Sequence, residues 1–318
     1  MNQSSPVQVS GMASGITAVT VGSSRSCAIT SAGGAKCWGQ NIYGGVGNGD
    51  SIDQTSPVNV SGLSSGVLAM DGGAYHTCAL LSGGVVKCWG WNAGGNLGDG
   101  TYTNRSTPVS VINLPSGVVA ISVGSTHSCA LTSAGAVWCW GGNYNGQVGD
   151  GTYTDRTSPT QVSGLTSGVV QISVGAEHSC ALTSDGGVKC WGIGTHGELG
   201  NNSNTKQNTP VAVSGLTSGV TSIGLGNYHT CAVLSSGEAK CWGYNGSSRL
   251  GDGTTTNRNT PVTVSGLTSG VLGIAGGDSH TCAITTSATV KCWGNNDLGQ
   301  LGDGTTTTRS TPVTVSVF

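Results

Sequence analysis

The sequence predicts an all-β fold, a six-bladed β-propeller of 51-residue four-stranded repeats, on three observations. First, a Pro-Val dipeptide, Pro-Thr once, stands at Pro6, Pro57, Pro108, Pro159, Pro210, Pro261 and Pro312, always 51 residues apart. Second, a Cys-Trp-Gly triplet keeps step with it, beginning at Cys37, Cys88, Cys139, Cys190, Cys241 and Cys292. Third, 56 glycines, one Phe and three Met among 318 residues leave few helix-forming stretches. A fixed period of this length marks one supersecondary unit stacked on copies of itself. Six periods nearly fill the chain, so a single domain over 1–318 is expected, closed by a terminal Pro-Val strand over 312–318.

One repeat shows each element in order. Pro159-Thr-Gln-Val162 reads as a short outer strand, where proline is tolerated because no ladder partner needs its missing N–H. Ser163–Gly168 is a turn. Val169-Val-Gln-Ile-Ser-Val-Gly175 is β-branched and ends on glycine, a strand signal. His178–Thr183 and Val188–Gly192 are two further strands around the Ser184–Gly187 turn. A polar loop from Gly197 leads to the next Pro-Val. Four short strands per period is the pattern of a propeller blade. There are seven Pro-Val strands for six inner sets, so either Pro6–Val9 or Pro312–Val315 is surplus and free to dock locally or on another molecule.

Twelve cysteines form six pairs at a spacing of ten: Cys27/Cys37, Cys78/Cys88, Cys129/Cys139, Cys180/Cys190, Cys231/Cys241 and Cys282/Cys292. A turn centred midway, near Ala32 in the first copy, sets each pair directly opposite across a hairpin. Cα atoms there lie about 4.5–5.5 Å apart, within disulfide reach. Zinc sites use closer ligand spacing, and reduced buried thiols are the other reading. Disulfides imply an extracellular or cell-surface location. Met1-Asn-Gln-Ser-Ser-Pro6 has no apolar leader, so a removed signal peptide is assumed.

The motif Gly-x-x-His-Ser/Thr-Cys-Ala-Leu, then Gly-x-Val-Lys-Cys-Trp-Gly-x-Asn-x-x-Gly-Gln-Leu-Gly, is best seen over 124–149 and 277–302. It resembles the repeat of regulator-of-chromosome-condensation (RCC1-like) propellers over essentially the whole chain. The resemblance implies a propeller, here a disulfide-bearing member of bacterial secreted type.

Recurrent residues read as structural. His76, His127, His178, His229 and His280 share one register, with Arg25 in the first copy, and are expected to bond backbone between blades. Trp38, Trp89, Trp140, Trp191, Trp242 and Trp293 follow the second cysteine and are expected to pack blades together. His196, outside the register, sits in a loop with no evident partner. Asp99, Asp150, Asp252 and Asp303 open Asp-Gly-Thr turns; one carboxylate per loop is too few for calcium. Arg105, Arg156, Arg258 and Arg309 either pair with these acids or face solvent.

Non-repeating loop aromatics are the candidate binding residues: Tyr43, Trp91, Tyr102, Tyr144 and Tyr153, all in the first three repeats. A net charge of −2 with scattered basic residues argues against nucleic acid. No apolar run is long enough for a membrane span. No catalytic constellation, cofactor motif or metal set is evident. The expected function is a non-catalytic extracellular binding or assembly scaffold, with a protein partner or self-association through a spare strand. The alternatives are a secreted inhibitor or receptor-like propeller, a carbohydrate binder, and a guanine-nucleotide exchange factor.

Overall fold

The computed structural model describes residues 2–316, which contain 24 strands and no helix. The first sheet is β1 (Ile16–Val21), β2 (Arg25–Thr30), β3 (Ala35–Gly39) and β4 (Gln54–Asn59). The second is β5 (Val67–Gly72), β6 (His76–Leu81), β7 (Val86–Gly90) and β8 (Arg105–Ser110). The third is β9 (Val118–Val123), β10 (His127–Thr132), β11 (Val137–Gly141) and β12 (Arg156–Gln161). The fourth is β13 (Val169–Val174), β14 (His178–Thr183), β15 (Val188–Gly192) and β16 (Gln207–Ala212). The fifth is β17 (Val220–Leu225), β18 (His229–Leu234), β19 (Ala239–Gly243) and β20 (Arg258–Thr263). The sixth is β21 (Val271–Gly276), β22 (His280–Thr285), β23 (Val290–Gly294) and β24 (Arg309–Thr314). Six blades of four antiparallel strands make this the all-β propeller class that the repeat predicts.

The hairpin register follows from turn length. Cys27 faces Cys37 and Cys129 faces Cys139, as a turn centred between them requires. All six pairs are bonded, each with a Cα separation of 4.1 Å. The outer strand starts earlier than its proline indicates: β12 begins at Arg156, which faces Gly141 across a bulge that separates it from the Thr160–Cys139 pair. Pro159 is tolerated because this irregular edge does not need its N–H. The terminal strand ends at Thr314, and residues 317–318 of the expected span lie outside the described residues.

The chain divides into two compact units, residues 8–177 and residues 178–318 with 1–7. In each, the core is a series of interfaces between successive blades. In the unit of residues 8–177, Cys27, Ile29, Ala35 and Cys37 pack against Val67, Ala79 and Trp89. One blade on, Cys78, Leu80 and Cys88 meet Val118, Ala130 and Trp140. In the other unit Leu182 and Val188 meet Val220 and Trp242, and Val233 and Ala239 meet Val271 and Trp293. The indole N–H of Trp89, Trp140, Trp242 and Trp293 donates at 2.9 Å to the carbonyl of Gly45, Asn96, Glu198 and Arg249 respectively. Burial of each ring therefore leaves no unsatisfied donor.

Three of the five register histidines also join blades, through a hydroxyl and not through backbone. His76, His178 and His229 meet Ser128, Thr230 and Thr281 through Nε2 at 2.7–2.9 Å. Those hydroxyls donate onward to the carbonyls that the tryptophans use. Each hydroxyl proton is thus committed, so Nε2–H is the donor and Nδ1 is left without a partner.

Candidate functional site

The turn between the first two strands and the long loop between the last two leave each sheet at the same end. In the third sheet Ser128 faces Val123, His127 faces Gly141, and Gly141 faces Arg156. This end forms a rim of loops, and its repeated part is a hydrogen-bonded knot. Asn143, fully buried, donates through Nδ2 to Asp150 Oδ1 and to the Thr152 and Thr154 carbonyls at 3.1–3.3 Å. Its Oδ1 accepts the Val148 N–H at 2.9 Å. Asp150 also accepts from Thr152 and pairs with Arg156 at 2.5 Å. Asn92, Asn245 and Asn296 repeat the arrangement, with Arg105, Arg258 and Arg309 paired to Asp99, Asp252 and Asp303 at 2.7–3.0 Å.

These carboxylates are occupied by donors, which is turn chemistry and not a calcium cradle. Burial raises the Asp99 pKa, but bonds from Thr101 and Arg105 outweigh it and hold the carboxyl below its usual range. Among the described residues no three His, Cys, Asp or Glu side chains converge as metal ligands. Asn143→Ala is expected to cost about 2–3 kcal/mol in denaturant unfolding, because it strands the buried Val148 amide and two part-buried loop carbonyls. A loss below about 1 kcal/mol would mean that the loop holds without its knot.

Two blades depart from the knot. In the first, Asn48 and Gln54 replace the acid and the arginine, so the ion pair is lost. Asn41 still donates to Asn48 Oδ1 and to the Asp50 and Ile52 carbonyls at 3.1–3.2 Å, and adds Asp50 Oδ1 at 3.0 Å. In the fourth, Gly194, Asn201 and Gln207 stand where other copies have Asn, Asp and Arg. Aromatic clusters sit beside these two loops. Tyr43 meets Tyr75 edge-on at 5.8 Å, and Tyr75 meets Trp91 at 5.8 Å. In the other unit His196 lies 4.8 Å from Tyr244 and 6.4 Å from Tyr228, and the Arg249 guanidinium caps the Tyr244 ring at 4.6 Å.

The structure brings two of the candidate aromatics together, Tyr43 and Trp91, through Tyr75, which the sequence reading missed. Tyr75 and Tyr43 are 44% and 37% exposed, which leaves ring edges for a partner. Tyr102 is 58% exposed and makes no ring contact with this cluster. Tyr144 and Tyr153 are exposed at 77% and 46%. Aromatics are not confined to the first three repeats, as Tyr228 and Tyr244 show. His196 also has a partner after all: its Nδ1 lies 2.9 Å from Glu198 Oε1, and its backbone N–H donates to Glu198 Oε2 at 2.8 Å. A tight loop folds the glutamate back two residues, a contact that reading along the chain does not reveal.

Comparison with known proteins fits this architecture. The model of the RCC1-like domain matches residues 113–318. Models of the regulator of chromosome condensation (RCC1) repeat match residues 36–80, 84–131, 16–44 and 67–96. The chain is similar to the ultraviolet-B receptor UVR8 of Arabidopsis thaliana, 32% identical over 93% of this chain and 69% of that protein. It is 34% identical to human E3 ubiquitin-protein ligase HERC2 over 94% of this chain but only 6% of the ligase. Among solved structures, human WBSCR16 superposes with a TM-score of 0.88 at 24% identity, covering 99% of this chain and 85% of that one. Yeast RCC1 (Prp20), solved with Kap60, gives 0.83 at 20% identity, covering 95% and 75%. From the matched domain and repeat models, the chain belongs to the RCC1 repeat family.

Proposed function

We propose that this protein is a non-catalytic binding scaffold that holds a protein partner on its loop rim. The observation that carries this reading is the coincidence of two departures: where the Asp–Arg pair of the knot is missing, in the first and fourth blades, aromatic side chains gather at the same register. Rigid, partly exposed aromatics on a stiff frame are efficient anchors, since little entropy is lost on binding. Relatives of the same architecture are named as a receptor and as a partner of Kap60, which agrees with such a role. Six disulfides support a location outside the reducing cytosol, as in a secreted scaffold, inhibitor or receptor-like ectodomain.

The test is selection of peptides from a displayed random library on the oxidised chain, with a glycan array in parallel. Paired replacement of Tyr75 and Trp91 by Ala, or of Tyr228 and Tyr244 by Ala, is expected to weaken the selected peptides about tenfold or more. Ligands indifferent to both pairs overturn the rim reading. Binding confined to the glycan array replaces the protein partner with carbohydrate.

A further inference from the structure

In the unit of residues 178–318 with 1–7, each blade presents the same seat to its successor. His178 and His229 reach the hydroxyls of Thr230 and Thr281. The Glu198 and Arg249 carbonyls take the indoles of Trp242 and Trp293. The loop amides of Asn202 and Gly253 donate to Asn259 and Ser310 in the next outer strand, at 2.9 and 3.0 Å. Leu182 and Val188, then Val233 and Ala239, are sealed at 4, 1, 1 and 0% exposure. One period on, the sixth blade carries His280, Gln300, Gly304, Ile284 and Val290 in these places.

Only the outer contact of that last seat is made, and residues 3–6 make it. The Gly304 N–H donates to the Ser4 carbonyl at 2.8 Å. A Cβ on Gly299 would stand 2.7 Å from Ser4 Cα, as one on Gly197 would stand 2.5 Å from Asn259 Cα. Since β24 completes the sixth sheet, the surplus segment is the N-terminal one, which lies in the place of an outer strand without a ladder partner. The inner contacts are open. Ile284 and Val290 are 46% and 41% exposed. Neither the His280 ring nor the Gln300 carbonyl meets a hydrogen-bond partner among the described residues. Beside Gln300 lies a cavity lined by Gln3, Pro6, Cys292, Leu301 and Gly302. At the two preceding positions of that last glycine, Gly200 and Gly251, an added Cβ would touch the indole nitrogen of Trp242 and Trp293 at 2.6 Å. The cavity occupies the place where an indole lies in earlier blades.

We propose that this face docks the three inner strands of one further repeat unit. Such a unit would put a Trp ring into the cavity, with its N–H on the Gln300 carbonyl, and a Ser or Thr hydroxyl on His280 Nε2. Its apolar side chains would cover Ile284 and Val290, while residues 3–6 supply its outer strand. A whole four-stranded blade does not fit, the first blade of a second copy included, because its own outer strand would claim the place of residues 3–6. The proposal is independent of the rim reading.

The experiment appends a second copy of residues 268–294 after residue 318, which continues the repeat in register, and measures amide exchange and Tm. The extension is expected to slow exchange in β22 and β23 about tenfold or more and to raise Tm. Ile284→Glu changes a side chain that is already exposed, so it should move the Tm of the unextended chain by no more than about 1–2 °C. In the extended chain it should abolish the gain, as should Ala in place of the appended Trp. Unchanged exchange on extension overturns the proposal, as does protection that survives both replacements. An unextended chain that scatters as a dimer, and becomes monomeric with Ile284→Glu, assigns the face to a second copy and overturns it as well.

Discussion

Stepwise reduction is expected to open the Cys282–Cys292 bridge first and, on completion, to unfold the chain. Each bridge joins cysteines ten residues apart. Closing a loop of that length removes chain entropy equal to about 2.7 kcal/mol from the unfolded state. Six such terms exceed the 5–15 kcal/mol that usually separates folded from unfolded chains, so the fully reduced protein should not hold its fold at 37 °C. The order follows from burial. Cys78, Cys88, Cys180, Cys190, Cys231 and Cys241 are all 0% exposed, so a reductant reaches them only after local opening. Cys282 is only half-buried, on the uncovered face that also bears Ile284. Alkylation at increasing reductant, followed by mass spectrometry, reads the order directly. Simultaneous opening of all six bridges would show that the blades unfold as one cooperative unit and that exposure does not govern attack. An intact mass about 12 Da below the reduced value on protein from its native source would support the extracellular reading.

The strands and cysteine pairs were legible because each signal is repeated six times, so local ambiguity averages out. What the sequence hid depends on chain segments brought together from different repeats. Pro159 marks the outer strand but not its start, because Arg156 joins the ladder only by way of a bulge opposite Gly141. Arg25 looks like a lost histidine. Folded, its guanidinium reaches the Gly73 and His76 carbonyls of the next blade at 3.1 and 2.9 Å. Tyr75, Tyr228 and Tyr244 escaped notice because each lies far in sequence from its cluster partners. A signal was present nonetheless: positions 43, 75 and 91 recur three periods later as 196, 228 and 244, with aromatic or imidazole rings at all six. Residue periodicity locates blades, whereas departures from it at a shared register locate the candidate site. The surplus N-terminal strand could not be assigned from sequence, since Pro6–Val9 and Pro312–Val315 carry the same pattern.

Acidification is expected to destabilise the chain below pH 6.5, most steeply below pH 4, with the buried histidines as the cause. Burial, and after it the nearby Arg25 charge, pushes His76 down to about 3. Burial alone pushes His178 down to about 3, and burial leads the downward shift of His229. The geometry gives the same sign independently, since Nε2–H is spent on a hydroxyl and Nδ1 faces no acceptor for a second proton. The unfolded chain takes up these protons near pH 6.5 and the folded one does not. Stability is therefore complete above that value and falls as pH drops toward 3. His76 and His178 together contribute a slope of about 2.7 kcal/mol per pH unit. One group opposes them. The Asp71 carboxylate, enclosed by bonds from Thr20 and the Val123 amide, is raised to about 6 by burial. Its protonation favours the folded state as pH falls from 6 toward 4, which offsets about one histidine over that interval. The net loss is thus gentler from pH 6 to 4 and steepest below 4. Denaturant midpoints from pH 7 to 3.5 measure it. His178→Gln keeps an N–H for Thr230 and removes the titrating ring, so it should flatten the slope by about 1.4 kcal/mol per unit. Asp71→Asn should steepen it between pH 6 and 4. A midpoint that does not move from pH 7 to 3.5 would mean that protons reach these imidazoles without opening the blades.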